Sequence, residues 1–199
     1  MKSAILAVCV AIFCLVNSAQ ATLIVSLSNS TPIDQYVCGN QTVLMAKFKL
    51  MTDNDGDNLT YFSVKCTGAN LINYLTLMDG SSVLGTAAAN SVDVLQNTAM
   101  FTFSGLDFDT SYVSKTLSLQ ANLGLFGDDA YGTLITAGIY DENYLTATDI
   151  ITGKQDSILL NCSLPVVSNP LIAVPEPGTL VLILVATAIG AVLYIRRKR

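Results

Sequence analysis

The 199-residue chain contains no histidine and no tryptophan. Without histidine there is no imidazole to act as the base of a Ser-His-Asp or Cys-His nucleophile, and the usual zinc ligand set is incomplete. Without tryptophan the strongest platform for stacking a sugar ring is missing, and the tyrosines between Thr22 and Val174 (Tyr36, Tyr61, Tyr74, Tyr112, Tyr131, Tyr140 and Tyr144) are left as weaker substitutes. Arginine is also absent between Thr22 and Val174, where five lysines face fourteen acids, a balance of −9. A nucleic-acid surface needs clustered Lys and Arg to displace counterions from phosphates, so nucleic acid is excluded as a partner. The acidity itself reads as solubility in an exposed setting, with a preference for divalent cations as the sharper alternative.

Long apolar runs occur only at the two ends, although hydrophobic residues make up 51% of the chain. Met1-Lys2 is followed by the apolar stretch Ala4 to Val16 and by Ala19-Gln20-Ala21. A basic start, an apolar run too short to span a bilayer and an A-x-A site describe a signal peptide over residues 1–21, cleaved after Ala21 with Ala19 and Ala21 as the small residues read at the cut. Cys9 and Cys14 follow Val8 and Phe13, which are too large for a lipoprotein cleavage site.

At the other end, residues 178–195 carry no charge, and as a helix these 18 residues would extend about 27 Å, close to the thickness of a hydrocarbon core. Arg196, Arg197, Lys198 and Arg199 follow at once and would act as a cytoplasmic stop. Immediately before the apolar run stands Val174-Pro175-Glu176-Pro177-Gly178. Two prolines fix φ and remove two backbone donors, so a helix cannot extend upstream and the segment stays extended for an enzyme to grip.

The three-part arrangement of proline motif, apolar helix and basic tail, about 26 residues in all, resembles the PEP-CTERM family of exported bacterial proteins. The resemblance implies a sorting signal over 175–199, with Pro175, Glu176 and Pro177 recognised by an exosortase, a membrane transpeptidase-like enzyme. It further implies transient anchoring in the inner membrane, release to the cell surface or extracellular space, and exopolysaccharide or other matrix proteins as neighbours.

Between the two ends the pattern has a period of two. In Thr116-Leu117-Ser118-Leu119-Gln120-Ala121-Asn122-Leu123 every odd position is apolar and every even one polar, which describes a strand with one buried face. Similar runs at Leu23–Leu27, Val43–Leu50, Leu59–Cys66, Leu71–Met78, Ser82–Thr86, Met100–Phe103, Leu134–Tyr140 and Ile158–Cys162 point to an all-β fold over residues 22–163. The expectation is an antiparallel β-sandwich, jelly-roll or immunoglobulin-like, with a separate C-terminal transmembrane helix. Its core would draw on Leu44, Phe48, Phe62, Val64, Leu75, Leu77, Phe101, Phe103, Leu117 and Leu119. Asp79-Gly80 predicts a type I′ hairpin that sets Leu77 opposite Ser82 and Leu75 opposite Leu84. Residues 164–174, with Pro165 and Pro170, read as a linker.

Asp53, Asp55 and Asp57 alternate with Asn54, Gly56 and Asn58 and resemble half of a calcium loop. A full EF-hand would need glycine at Asn58 and an acid at Val64, so a solvated hairpin loop is the plainer reading and a calcium site borrowing an acid from another loop the sharper one. No other cofactor is expected. Asp128-Asp129 and Asp141-Glu142 are neighbours in sequence and read as turn residues, because a glycosidase needs two carboxyls facing across a sugar. Cys38, Cys66 and Cys162 permit one disulfide in three pairings, with Cys66 in register with the inward Phe62 and Val64.

The leading expectation is therefore a noncatalytic structural or adhesive domain, not an enzyme. A polysaccharide-binding module, calcium-assisted or not, and a small secreted hydrolase working through carboxylates alone are the alternatives.

Overall fold

A computed structural model describes residues 22–52, 56–160 and 165–175, together with Val185, Thr187 and Ile189. The strands are, in chain order, β1 (Thr22–Leu27), β2 (Gln35–Val37), β3 (Thr42–Thr52), β4 (Asp57–Thr67), β5 (Ile72–Asp79), β6 (Ser82–Ala87) and β7 (Ala89–Asp93). They continue as β8 (Thr98–Asp109), β9 (Lys115–Leu123), β10 (Leu134–Ile139), β11 (Leu145–Asp149), β12 (Ser157–Leu160), β13 (Val166–Val167) and β14 (Leu171–Ala173). One sheet runs β12-β1-β3-β9-β5-β6 and the other β2-β14-β10-β4-β8-β7, with β11 paired to β4 and β13 to β10.

The alternation read from β9 is what the structure uses: Leu117, Leu119, Ala121 and Leu123 are buried while the residues between them are half-exposed. Phe48 of β3 meets Phe62 of β4 edge-on, with ring centroids 5.4 Å apart, and Phe62 in turn lies 6.2 Å from Phe103 of β8. These three rings join the inner faces of the two sheets. Of the ten expected core residues, only Leu44 is not buried. A bulge between Leu44 and Ala46 in the pairing of β3 with β9 shifts the alternation there, so that Met45 and Ala46 are both fully buried in succession.

The expected antiparallel sandwich with a transmembrane helix needs correction on both counts. The sheets are mixed: β1 pairs with β12 in parallel, and so does β14 with β2. Both sheets are open paths ending at edge strands, and neither a closed barrel nor a sandwich of purely antiparallel sheets is formed. Periodicity fixes which face a strand buries but not the direction of its neighbour, which is how two parallel pairings escape it.

Of the apolar run 178–195 only Val185, Thr187 and Ile189 are described, each helical and exposed. No helix among the described residues is long and apolar enough to cross a membrane, so the expected inner-membrane anchoring is not carried forward. The basic tail Arg196 to Arg199 and the signal segment with Ala19 and Ala21 lie outside the described residues.

Two local expectations also change. The hairpin between β5 and β6 pairs Asp79 with Ser82, which moves the centre of the turn one residue along, and a bulge between Leu77 and Met78 then sets Leu77 opposite Gly85 instead of Ser82 and Leu75 opposite Ala87 instead of Leu84. The turn is centred on Gly80-Ser81, with Gly80 at φ 57° and Ser81 not among the residues of positive φ, the pattern of a glycine-first type II′ turn. A type I′ turn would have forced aspartate into the left-handed region.

The segment expected as a linker is built into the second sheet. β14 lies between β2 and β10, and Val166, Leu171 and Ala173 are buried. If this segment is part of the core, Leu171→Ala will lower stability by about 2–5 kcal/mol in denaturant unfolding, the range for emptying a buried leucine site. A tether would show a change near zero.

Candidate functional site

Two regions carry the residues singled out by sequence, and they sit on different parts of the fold. The first is where the chain leaves the second sheet. β14 is held on one side by β2, with Ile172 opposite Tyr36 and Ala173 opposite Val37, and on the other by β10, with Leu171 opposite Ile135. The Val174 N–H continues this ladder by donating to the Val37 carbonyl at 2.8 Å. Pro175 has no N–H to add, and its carbonyl accepts from the Cys38 thiol at 3.6 Å. Pro175, the first residue of the proline motif, is thus half-buried against the end of β2. Glu176 and Pro177 lie outside the described residues.

The second region is the end of the fold where β3 passes into β4. Asp53 and Asp55 lie outside the described residues, but Asp57 is the first residue of β4. It is fully buried, on the same face as Leu59. Neither oxygen of its carboxylate has a hydrogen-bond partner. Its backbone carbonyl, by contrast, accepts from both the N–H (2.7 Å) and the hydroxyl (2.9 Å) of Thr110. Gly56, at φ 119°, brings the chain so close to Thr110 that a β-carbon there would stand 2.9 Å from the Thr110 carbonyl.

Asp57 therefore does not behave as one of three solvated loop carboxylates. Thr52, Thr110 and Asp156, which are 1%, 2% and 6% exposed, are further buried polar residues whose backbone bonds lie toward this end. Asp156 is carried there by its N–H, which donates to Ala147 of β11 at 3.0 Å. Ala147 lies opposite Leu59, and Asp149 opposite Asp57. Among the described residues, no three His, Cys, Asp or Glu side chains converge closely enough to hold a metal ion.

Other candidate residues have local duties. Asp141 caps the short 3₁₀ turn Glu142–Tyr144 by accepting from the Asn143 N–H at 2.9 Å, and Asp128 and Asp129 begin another such turn on the surface. Asp149, which sequence reading passed over, accepts from the N–H groups of Thr152 (2.6 Å) and Ile151 (2.7 Å). These bonds, the one from Thr152 foremost, hold its carboxyl below the ordinary carboxylate range. The signal for it was the run Asp149-Ile150-Ile151-Thr152-Gly153, an aspartate two residues ahead of the backbone it turns. The most exposed tyrosines, Tyr36 and Tyr112, belong to β2 and to the connection between β8 and β9.

Cys38 and Cys66 are both free thiols, and Cys162 lies outside the described residues. Cys66 faces inward and is fully buried, and burial pushes its thiol well above the ordinary cysteine range. The same desolvation, followed by the neighbouring Cys66 and Tyr144, raises Tyr140.

Two measurements follow from these environments. Alkylation of the native protein at pH 8 will modify Cys38 and spare Cys66, which will react only after unfolding, as read by peptide mass mapping. Because folding lowers the Asp149 pKa, its stabilisation is complete above the ordinary carboxylate range and is lost as pH falls through the lowered value. The difference in melting temperature between the wild type and Asp149→Asn will accordingly be widest near neutral pH and shrink progressively below about pH 4.

No protein-family model and no curated protein sequence matches the chain.

Proposed function

We propose that this chain is an exported, noncatalytic structural or adhesive domain of the cell surface or extracellular matrix, and that an exosortase-type enzyme processes it at Pro175-Glu176-Pro177. The sequence supplies the address: a signal peptide at one end and a proline motif, apolar run and basic cluster at the other. The observation that carries the reading furthest is the way the fold delivers the chain to that motif. Sheet pairing runs up to the Val174 N–H, and the next residue is a proline that cannot extend it.

An enzyme that cuts beside the motif would release the whole β fold with β14 still in place, because the last strand closes before the motif begins. No spacer separates the two, so the processing enzyme must approach the folded body directly. The residues expected to matter for recognition are Glu176, whose charge sets register on an otherwise apolar and rigid segment, and the two prolines that keep it extended.

The test is the mass of the mature chain produced in a host with and without the sorting enzyme. With the enzyme present, the chain will lose everything C-terminal to the motif, and Pro175→Ala together with Pro177→Ala will restore the full-length mass. A tail retained in both hosts would remove the processing reading and with it the assignment to a sorting pathway.

A further inference from the structure

The Asp57 carboxylate is the one fully buried acid in the described fold with neither oxygen hydrogen-bonded, and a group of that kind requires an explanation. An ionised carboxylate taken out of water without a donor or a counter-charge is heavily penalised, so the site must supply a cation or keep the acid neutral. Among the described residues no lysine supplies the charge. Lys115, which pairs with Leu50 near this end, donates instead to the Asp109 carbonyl and lies over the Phe108 ring at 5.2 Å.

We propose that Asp57 anchors a buried binding site for a hard divalent cation of the calcium class, built where β3, β4, β8 and β11 end together. The buried polar residues whose bonds lie at this end of the fold, Thr52, Thr110 and Asp156, all carry oxygen donors. Oxygen donors alone select calcium or magnesium over the softer metals. Since no three acids among the described residues converge, carboxylate charge would account for only part of the coordination, and hydroxyl and backbone oxygens would complete it. That composition favours calcium, which accepts an irregular shell of neutral oxygens, over magnesium, which demands an octahedron and gives up its water reluctantly.

The fold is arranged to hold such an ion. Gly56 at φ 119° lets the chain turn inward immediately before Asp57, and the two Thr110 bonds to the Asp57 carbonyl fix the backbone, leaving the carboxylate to project on the Leu59 side. The Ile150 N–H donates to the Gly56 carbonyl at 3.2 Å and the Thr52 N–H to the Ser111 carbonyl at 3.1 Å. β4 is already laddered to β8 and β11 at this point, so an ion at Asp57 would add a tie to the end of β3, which the Thr52–Ser111 bond joins to the chain beyond β8. Its role is to lock this end of the two sheets, and a low charge count predicts weak affinity of the order found in extracellular modules, roughly 0.1–1 mM. The site depends on the folded sheets and not on processing of the tail.

Thermal unfolding of the purified full-length chain at constant ionic strength, in EDTA, 5 mM calcium chloride or 5 mM magnesium chloride, tests this. Calcium will raise the wild-type melting temperature by about 3–5 °C over EDTA and magnesium by less, whereas Asp57→Asn will give the same value in all three. Isothermal titration of calcium into the wild type provides a second reading that needs no variant. A wild-type melting temperature that does not respond to calcium, or a response that survives in Asp57→Asn, overturns the proposal. An Asp57→Asn protein that melts higher than a calcium-insensitive wild type would identify Asp57 as a buried neutral acid instead. The processing assay reads the mass of the tail and this one reads the stability of the fold, so each can fail without the other.

Discussion

Burial of one face of each sheet against the other is the constraint on which the remaining features rest. Phe48, Phe62 and Phe103 sit at its centre, each almost wholly removed from water, and their tilted contacts carry the attraction from the first sheet through to the second. Removing a single buried leucine or phenylalanine side chain from water contributes roughly 1.5–3 kcal/mol, and rows of such residues along β3, β4, β8 and β9 make this contact the dominant favourable term. Once those four strands are fixed, the edges follow from their unpaired backbone groups. β12 takes the free side of β1, and β14 fills the space between β2 and β10.

That second consequence alters how the two ends of the domain relate to function. The C-terminal strand is not a tether but a part of the sheet, held by hydrogen bonds on both sides, and the proline motif begins where its ladder stops. Proline serves two purposes at the same place: it has no donor with which to extend the ladder, and it bars a helix from extending upstream through it. In the proposed processing reaction the folded body therefore reaches as far as Pro175, the first residue of the motif.

The opposite balance holds where β3 turns into β4. Here an acid occupies a position that the alternating pattern reserves for an apolar side chain, two residues ahead of Leu59 and on the same face. A domain that places a polar side chain without a hydrogen-bond partner inside its core weakens the hydrophobic contact locally, whereas the aromatic centre carries no such group.

The sequence by itself determined the all-β character, nine strand positions and nine of the ten inward residues, because a period of two is written directly into which side chains alternate. It also singled out Asp57, by the company of Asp53 and Asp55, and Cys66, by register with Phe62 and Val64. Only the tertiary structure decided which strands are neighbours, since pairing of β1 with β12 or β14 with β2 joins residues more than a hundred positions apart and leaves no local trace. The short strands β2, β7, β11, β13 and β14 escaped notice for the same reason: they exist because another strand offers its edge, not because their own residues alternate strongly. Asp57 shows the division most clearly, for its place in a polar run suggested an exposed loop, and only the inward turn at Gly56 and the grip of Thr110 on its backbone put its carboxylate out of reach of water.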